Sequence, residues 1–264
     1  MKTIVFANQK GGVGKSALAC QLAYHFNQIM NKRVLVIDLD HQRNTSKSLR
    51  TGGFATVAKT TSSMLLADPK ASVDRADFVL VAGDGELIKM EKKPDSHNPY
   101  VNNLAGFLRR VADDFDVCIV DTNPNPDIRQ LAALVVADYA LAPIELNQEA
   151  IDGIGDLLHH ENIGIRRITA TINPKLVFLG IVPNKVEPTP FQRDNFAALS
   201  RAFPEYLIPM TPGFAAIKKS TAIAEAQAAG VPVGKLGKTS GRDAARELRP
   251  VFDKIASLME VSNA

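Results

Sequence analysis

The chain has 264 residues, 45% of them hydrophobic and 22% charged, an ordinary globular composition that can bury a sizeable core. Its net charge of +3 is too small to imply a nucleic-acid partner by itself, and its two cysteines exclude a disulfide framework or a cysteine-rich metal site. The most apolar stretch, LAALVVADYALAPI, is broken by Asp138 and Pro143, and the opening MKTIVFANQ is too short in apolar residues for a signal peptide; both point to a cytoplasmic chain.

In chain order, the apolar run 3–8 predicts a strand, 15–29 a helix and 33–39 a second strand. Residues 44–76 are rich in Ser, Thr, Gly and Ala and are the least readable part of the chain. Residues 78–83 read as a strand, 89–100 as an exposed polar loop, 101–114 as a helix and 116–121 as a strand. A helix over 126–136, a strand over 139–144 and a helix over 148–160 follow. The last three predicted elements are a strand over 176–184 and helices over 190–203 and 242–260. In the final helix Leu248, Val251, Phe252, Ile255, Leu258 and Met259 recur at helical spacing. The strands are nearly continuous in apolar residues, as suits a mostly parallel sheet covered on both faces. Strand–helix alternation therefore predicts one doubly wound α/β domain over 1–264, with its ligand site beyond the C-terminal ends of the strands. Cys20, in a helix, and Cys118, in a strand, are expected to be buried.

The stretch QKGGVGKS lies between the first strand and the first helix, the context of a phosphate-binding loop. Its glycines let backbone N–H groups converge on phosphate oxygens, and the helix N-terminus adds positive potential. Lys15 would reach the β- and γ-phosphates, and the Ser16 hydroxyl would ligate Mg²⁺. The strict form of the motif has glycine where this chain has Gln9. Asp38 and Asp40 end the second strand, and Asp121 ends another apolar strand. A carboxylate there is costly without a partner, which a metal ion supplies, so Asp121 reads as a carboxylate of the metal shell.

On these residues the chain resembles the ParA/MinD family of deviant Walker A ATPases, with a P-loop NTPase fold. KGGVGKS is similar to the family's first motif, DLDHQRNTS to its second, and IVDTNPNPD to its Walker B and switch segment. LAPIELNQEAIDGI and GIVPNKV resemble later blocks, and the tail from IPM to GKTS resembles plasmid partition ATPases of the IncC-like branch. The resemblance implies an ATP-dependent homodimer in which Lys10 reaches the partner's phosphates. It places Gly11, Gly12, Val13, Gly14, Lys15, Ser16 and Ala17 around the phosphates and Asp40 on the attacking water. Asp38 would support the metal region, Asn184 would recognise adenine, and Pro209 and Met210 would lie beside the base. His41 stands where the family has proline, Arg43 where it has a small residue, and Asn123 where the switch segment has proline.

Partition proteins of this kind imply further partners: non-specific DNA on the nucleoid, and a ParB-like centromere-binding protein that stimulates hydrolysis. Lys218, Lys219, Lys235, Lys238 and Arg242, followed by Arg246 and Arg249, are gathered near the C-terminus against few acids, which supports a DNA-phosphate footprint. Because the first strand opens at residue 3, no helix-turn-helix domain is expected ahead of it. A MinD-like membrane ATPase is the alternative, but the last helix reads as core-facing and not as a basic amphipathic helix. A nitrogenase iron protein needs interface cysteines, and Cys20 and Cys118 fall in the wrong motifs.

Overall fold

A computed structural model of the chain describes residues 1–147 and 153–262. The strands are β1 (Lys2–Phe6), β2 (Val34–Asp38), β3 (Thr56–Val57), β4 (Phe78–Val81), β5 (Val117–Asp121), β6 (Tyr139–Glu145) and β7 (Val177–Asn184). They form one seven-stranded sheet in the order β3-β4-β2-β5-β1-β6-β7. Every pairing within it is parallel.

The main helices are α1 (Lys15–Tyr24), α2 (Asn44–Gly52), α3 (Ser62–Ala67), α4 (His97–Arg110) and α5 (Ile128–Val136). After them come α6 (Ile154–His159), α7 (Pro190–Ala202), α8 (Thr221–Ala229) and α9 (Thr239–Leu258). Alternate residues of each strand serve opposite faces. Val5, Leu35, Ile37, Cys118 and Val120 join Leu104, Phe107 and Leu134 in one core. Ile4, Phe6, Val36, Val117 and Ile119 join Leu18, Leu22, Leu248 and Phe252 in the other. Both sheet faces are therefore dry, which is why the strands are apolar throughout and not alternating.

The six predicted strands are present, with ends shifted by at most two residues. The stretch 44–76 does contain elements, namely α2, β3 and α3. Helix α2 buries Thr45, Ser46 and Ser48 alongside Leu49, so a polar inner face hid it from a search for apolar periodicity. The expected loop 89–100 is corrected too: α4 begins at His97, and Met90 and Tyr100 are buried in the core. The predicted helix 148–160 is present as α6, its residues 148–152 lying outside the described residues. Helix α8 matched no predicted element because its buried side chains are alanines, Ala222 and Ala226, which carry little hydrophobic signal. Cys20 and Cys118 are both buried, and burial pushes the Cys20 thiol up to about 12. Among the described residues no helix is long and apolar enough to cross a membrane.

The chain leaves β1 towards β2 on one side and later places β6 on the other, so the topology switches at β1. Such a switch opens a crevice at the C-terminal strand ends. The segment that crosses it is 7–14.

Candidate functional site

Parallel register brings the acidic groups to the loop. Phe6 pairs with Asp121, and Asp121 pairs with Asp38, so the ends of three neighbouring strands lie in one row. The loop from Ala7 to Gly14 rises from that row and delivers Lys15 as the first residue of α1. Asn8 anchors its start, with Nδ2 donating to Pro143 O at 2.6 Å and Oδ1 accepting from Lys10 N at 2.8 Å. Gly14 closes it with φ 92°, in the left-handed region. A Cβ there would sit 2.3 Å from Asn184 Nδ2, so only glycine lets the loop pass so close to the end of β7. That Asn184 amide donates to Val13 O at 2.8 Å.

A cavity of about 560 Å³ opens over this loop. Gly11 through Ala17 line it, together with Asp40, Asn184, Lys218 and Lys219. Lys15 is buried, and Nζ donates to Asn8 O at 3.0 Å and to Lys10 O at 3.1 Å. Burial lowers its pKa, while Asp121 and Asp40 pull it back up. Asp121 is wholly buried, and its Oδ2 accepts from Thr45 Oγ1 at 2.7 Å. Its Oδ1 has no hydrogen-bond partner among the described residues. Burial pushes this carboxyl up to about 6 against the pull of the Thr45 and Ser16 hydroxyls and of Lys15.

An orphaned, buried carboxylate oxygen beside the Ser16 hydroxyl fits a divalent cation. Among the described residues no three His, Cys, Asp or Glu side chains gather into a cage for a metal ion. That sparse donor set suits Mg²⁺, which is commonly held by one or two carboxylates and the phosphates of its ligand.

Asp38, expected to support the metal region, lies beside Asp121 on the adjacent strand; neither carboxyl lines the cavity, and the hydrogen bonds of Asp38 are filled. Oδ2 accepts from Ser46 N at 2.8 Å and Ser46 Oγ at 2.6 Å, and Oδ1 accepts from Asp40 N at 3.0 Å. Burial first, and the charge of Asp121 second, push it up to about 7. It ties α2 and the Asp40 turn to the sheet. Asp40 itself faces the cavity, with Oδ1 accepting from Gln42 N at 2.9 Å.

Lys10 is not gathered with Lys15. Its Nζ donates to Asn147 Oδ1 at 3.1 Å, and it lines a second, smaller cavity with Gln9, Ile144, Ile154 and Asp156. Gln9 explains the missing glycine of the strict motif: its side chain turns the same way and donates to Asp156 O at 3.3 Å. Pro209 and Met210 do not line the larger cavity either; Pro209 is exposed and Met210 packs on the core beneath.

The sequence reading missed α8, whose Thr221, Ile223, Ala224 and Gln227 form the far wall. It also missed Thr45 and Ser46, which answer the two buried carboxylates. The run NTS directly after DLDHQR was the available signal, since hydroxyls at a helix start are natural partners for anions.

The C-terminal cations divide into two groups. Lys218 and Lys219 face the cavity and pair with Glu247 at 2.6 Å and Glu187 at 2.9 Å. Lys235 lies over the Phe54 ring, 4.9 Å from its centroid. Lys238 pairs with Glu225 at 2.7 Å, and Arg242 donates to Thr239 Oγ1 at 3.2 Å. These last three cluster on the turn entering α9.

A family model described as an AAA domain matches residues 1–178. Protein IncC of Escherichia coli is 36% identical over 283 aligned positions, which take in 99% of this chain and 71% of IncC. The chromosome-partitioning ATPase Soj of Thermus thermophilus is 27% identical, covering 94% of each chain. Among solved structures, a Cyanothece McdA–ATP complex superposes with a TM-score of 0.76 at 22% identity, over 97% of this chain and 96% of McdA.

Proposed function

The chain belongs to the ParA/MinD family of ATPases, and from that premise we propose that it is a plasmid partition ATPase that binds ATP with Mg²⁺, pairs with a second copy and then binds DNA without sequence preference. The observation that carries this reading is the convergence of Lys15, Ser16 and Asp40 on one cavity at the switch point of the sheet, with the buried Asp121 carboxyl at the end of the neighbouring strand behind them. Across 94% of its length the chain is also similar to a protein named for partition, Soj.

In this reading Gly11–Ala17 cradle the phosphates, Lys15 spans the β- and γ-phosphates, and Ser16 and Asp121 hold Mg²⁺. When bound, the ion neutralises phosphate charge. Asp40 orients the water that attacks the γ-phosphorus as the bond to the β–γ bridging oxygen breaks and ADP leaves. Asn184 meets the base. Asp38, whose oxygens already accept from Ser46 and from Asp40 N, serves as the brace of this turn and not as a metal ligand. Lys10 points away from its own cavity, which supports a role across a dimer interface, where a cation supplied in trans stabilises the transferring phosphoryl group. A ParB-like partner then accelerates hydrolysis and releases the DNA.

DNA co-sedimentation with ATP, ADP or no nucleotide, run beside a liposome control, tests the reading. ATP-dependent pelleting with DNA and none with liposomes is expected; the reverse pattern replaces it with a membrane-positioning ATPase. Lys15→Ala abolishes nucleotide binding, whereas Lys10→Ala binds ATP but does not dimerise by light scattering. Equal ATP-driven dimerisation in wild type and Lys10→Ala removes the trans role.

A further inference from the structure

We propose that Arg129 is a positioning residue for hydrolysis: through His41 it locks the Asp40 turn onto the segment that follows Asp121. The proposal rests on the ATPase reading above and adds to it a link between two loops.

Arg129 lies in the first turn of α5 and is 2% exposed. Its Nε donates to both oxygens of Asp127, at 3.2 and 3.1 Å, and Nη2 closes a tight pair with Asp127 Oδ2. The remaining arm, Nη1, donates to His41 Nδ1 at 2.9 Å. On the other side Asp127 Oδ2 accepts from Asn123 Nδ2 at 2.9 Å, and its Oδ1 caps α5 by accepting from Arg129 N at 3.0 Å. One buried ion pair therefore holds both His41 and Asn123. These are the two positions at which the family resemblance implies a proline. Proline stiffens a loop by fixing φ and brings no side-chain donor. Here two hydrogen-bonding side chains reach one guanidinium–carboxylate pair instead.

The link also determines where the His41 proton sits. An imidazole nitrogen that accepts from an arginine carries no hydrogen, so the ring proton is on Nε2, and the Gln42 side-chain amide, 3.0 Å away, meets it with its oxygen once the amide is turned over. Nδ1, 3.5 Å from Asp40 Oδ1, has no proton to offer it. The Asp40 carboxylate is then left to accept from Gln42 N and from water. A buried ion pair is weak evidence for stability in itself, so its retention here is better explained by placement of the two loops.

Three variants test this. His41→Ala removes the link. Arg129→Lys keeps a charge for Asp127 but has no planar fork to serve both partners. The double variant Arg129→Met with Asp127→Asn removes both charges together, and Asn still caps the helix. In each, kcat for ATP falls on the order of tenfold or more, while affinity for a non-hydrolysable analogue stays within about twofold. In nucleotide-free protein, hydrogen exchange rises over both 40–45 and 122–127 in His41→Ala, a readout that needs no turnover. The proposal is overturned by kcat within about twofold of wild type in both His41→Ala and Arg129→Lys. It is equally overturned by faster exchange confined to 40–45. Wild type without turnover but with coupled exchange overturns the ATPase reading, and with it the catalytic consequence, while the physical link stands.

Discussion

Asp121 and Asp38 lie side by side on adjacent strands, and burial holds both above the ordinary carboxylate range, at about 6 and about 7. In the unfolded chain each ionises near its ordinary value, so the native state keeps its protons to higher pH. The stability they confer is complete below about pH 4 and is lost as pH rises through 6 to 7. Asp121→Asn should therefore raise the melting temperature of nucleotide-free protein at pH 8, on the order of 5 °C, and leave it nearly unchanged at pH 4. The same variant should lose Mg²⁺-dependent ATP binding. Melting curves at the two pH values check the first part, and equal shifts at both would exclude an electrostatic origin. At this scale, residues whose chemistry is local were legible: Lys15 and Ser16 by their motif, Asp121 by a charge ending an apolar strand. The filled shell of Asp38 was not legible, because Ser46 and the Asp40 amide reach it only after α2 folds back on the sheet. Nor was the direction of Lys10, which depends on Asn147, more than a hundred residues away.

Helix α8 is held by backbone contact more than by side-chain volume. Gly230, which ends it with φ 67°, touches α2 so closely that a Cβ there would meet Ser48 O at 2.2 Å and Gly52 N at 2.4 Å. Two buried polar residues of α1 secure the same turn: Tyr24 Oη donates to Gly230 O at 2.5 Å, and Gln21 Nε2 donates to Val231 O at 3.0 Å. Gly230→Ala combines a left-handed φ with two backbone clashes and should cost on the order of 2–4 kcal/mol. Because α8 forms the far wall of the cavity, nucleotide affinity should fall as well. Thermal melts with a nucleotide titration check this; an unchanged melt would mean that α8 is anchored elsewhere. Strands and the long helix α9 could be read because apolar side chains do the packing there. Helices α2 and α8 could not, since hydroxyls bury one and alanines and glycines the other, leaving no periodic apolar stripe.

For the molecule as a whole, charge placement matters more than net charge. A cluster read along the sequence becomes two surfaces, with Lys218 and Lys219 over the cavity and Lys235, Lys238 and Arg242 on the turn into α9. If the second surface meets DNA, Lys235→Glu with Arg242→Glu should weaken DNA binding and lower the salt slope by about one unit per lost phosphate contact, with ATP affinity unchanged. Lys218→Glu with Lys219→Glu should instead weaken ATP and DNA binding together. A co-sedimentation series over salt, paired with nucleotide titrations, separates the two. Identical effects from both pairs would dissolve the division. The doubly wound topology was legible from strand–helix alternation, whereas the split of the cations was not, because it depends on which way the chain turns after β7.

The mouth of the cavity has a further property. Lys185, Lys218 and Lys219 each already hold a glutamate: Glu145 at 2.7 Å, Glu247 at 2.6 Å and Glu187 at 2.9 Å. An arriving anion must compete with these resident carboxylates, so a single small anion such as inorganic phosphate or chloride gains little there. A polyphosphate, engaging several cations at once, can displace them. Added salt loosens the resident pairs as it screens the newcomer, and the two effects oppose each other. The entrance thus acts as a threshold on ligand valence, and its grip should vary less with ionic strength than three exposed lysines alone would suggest.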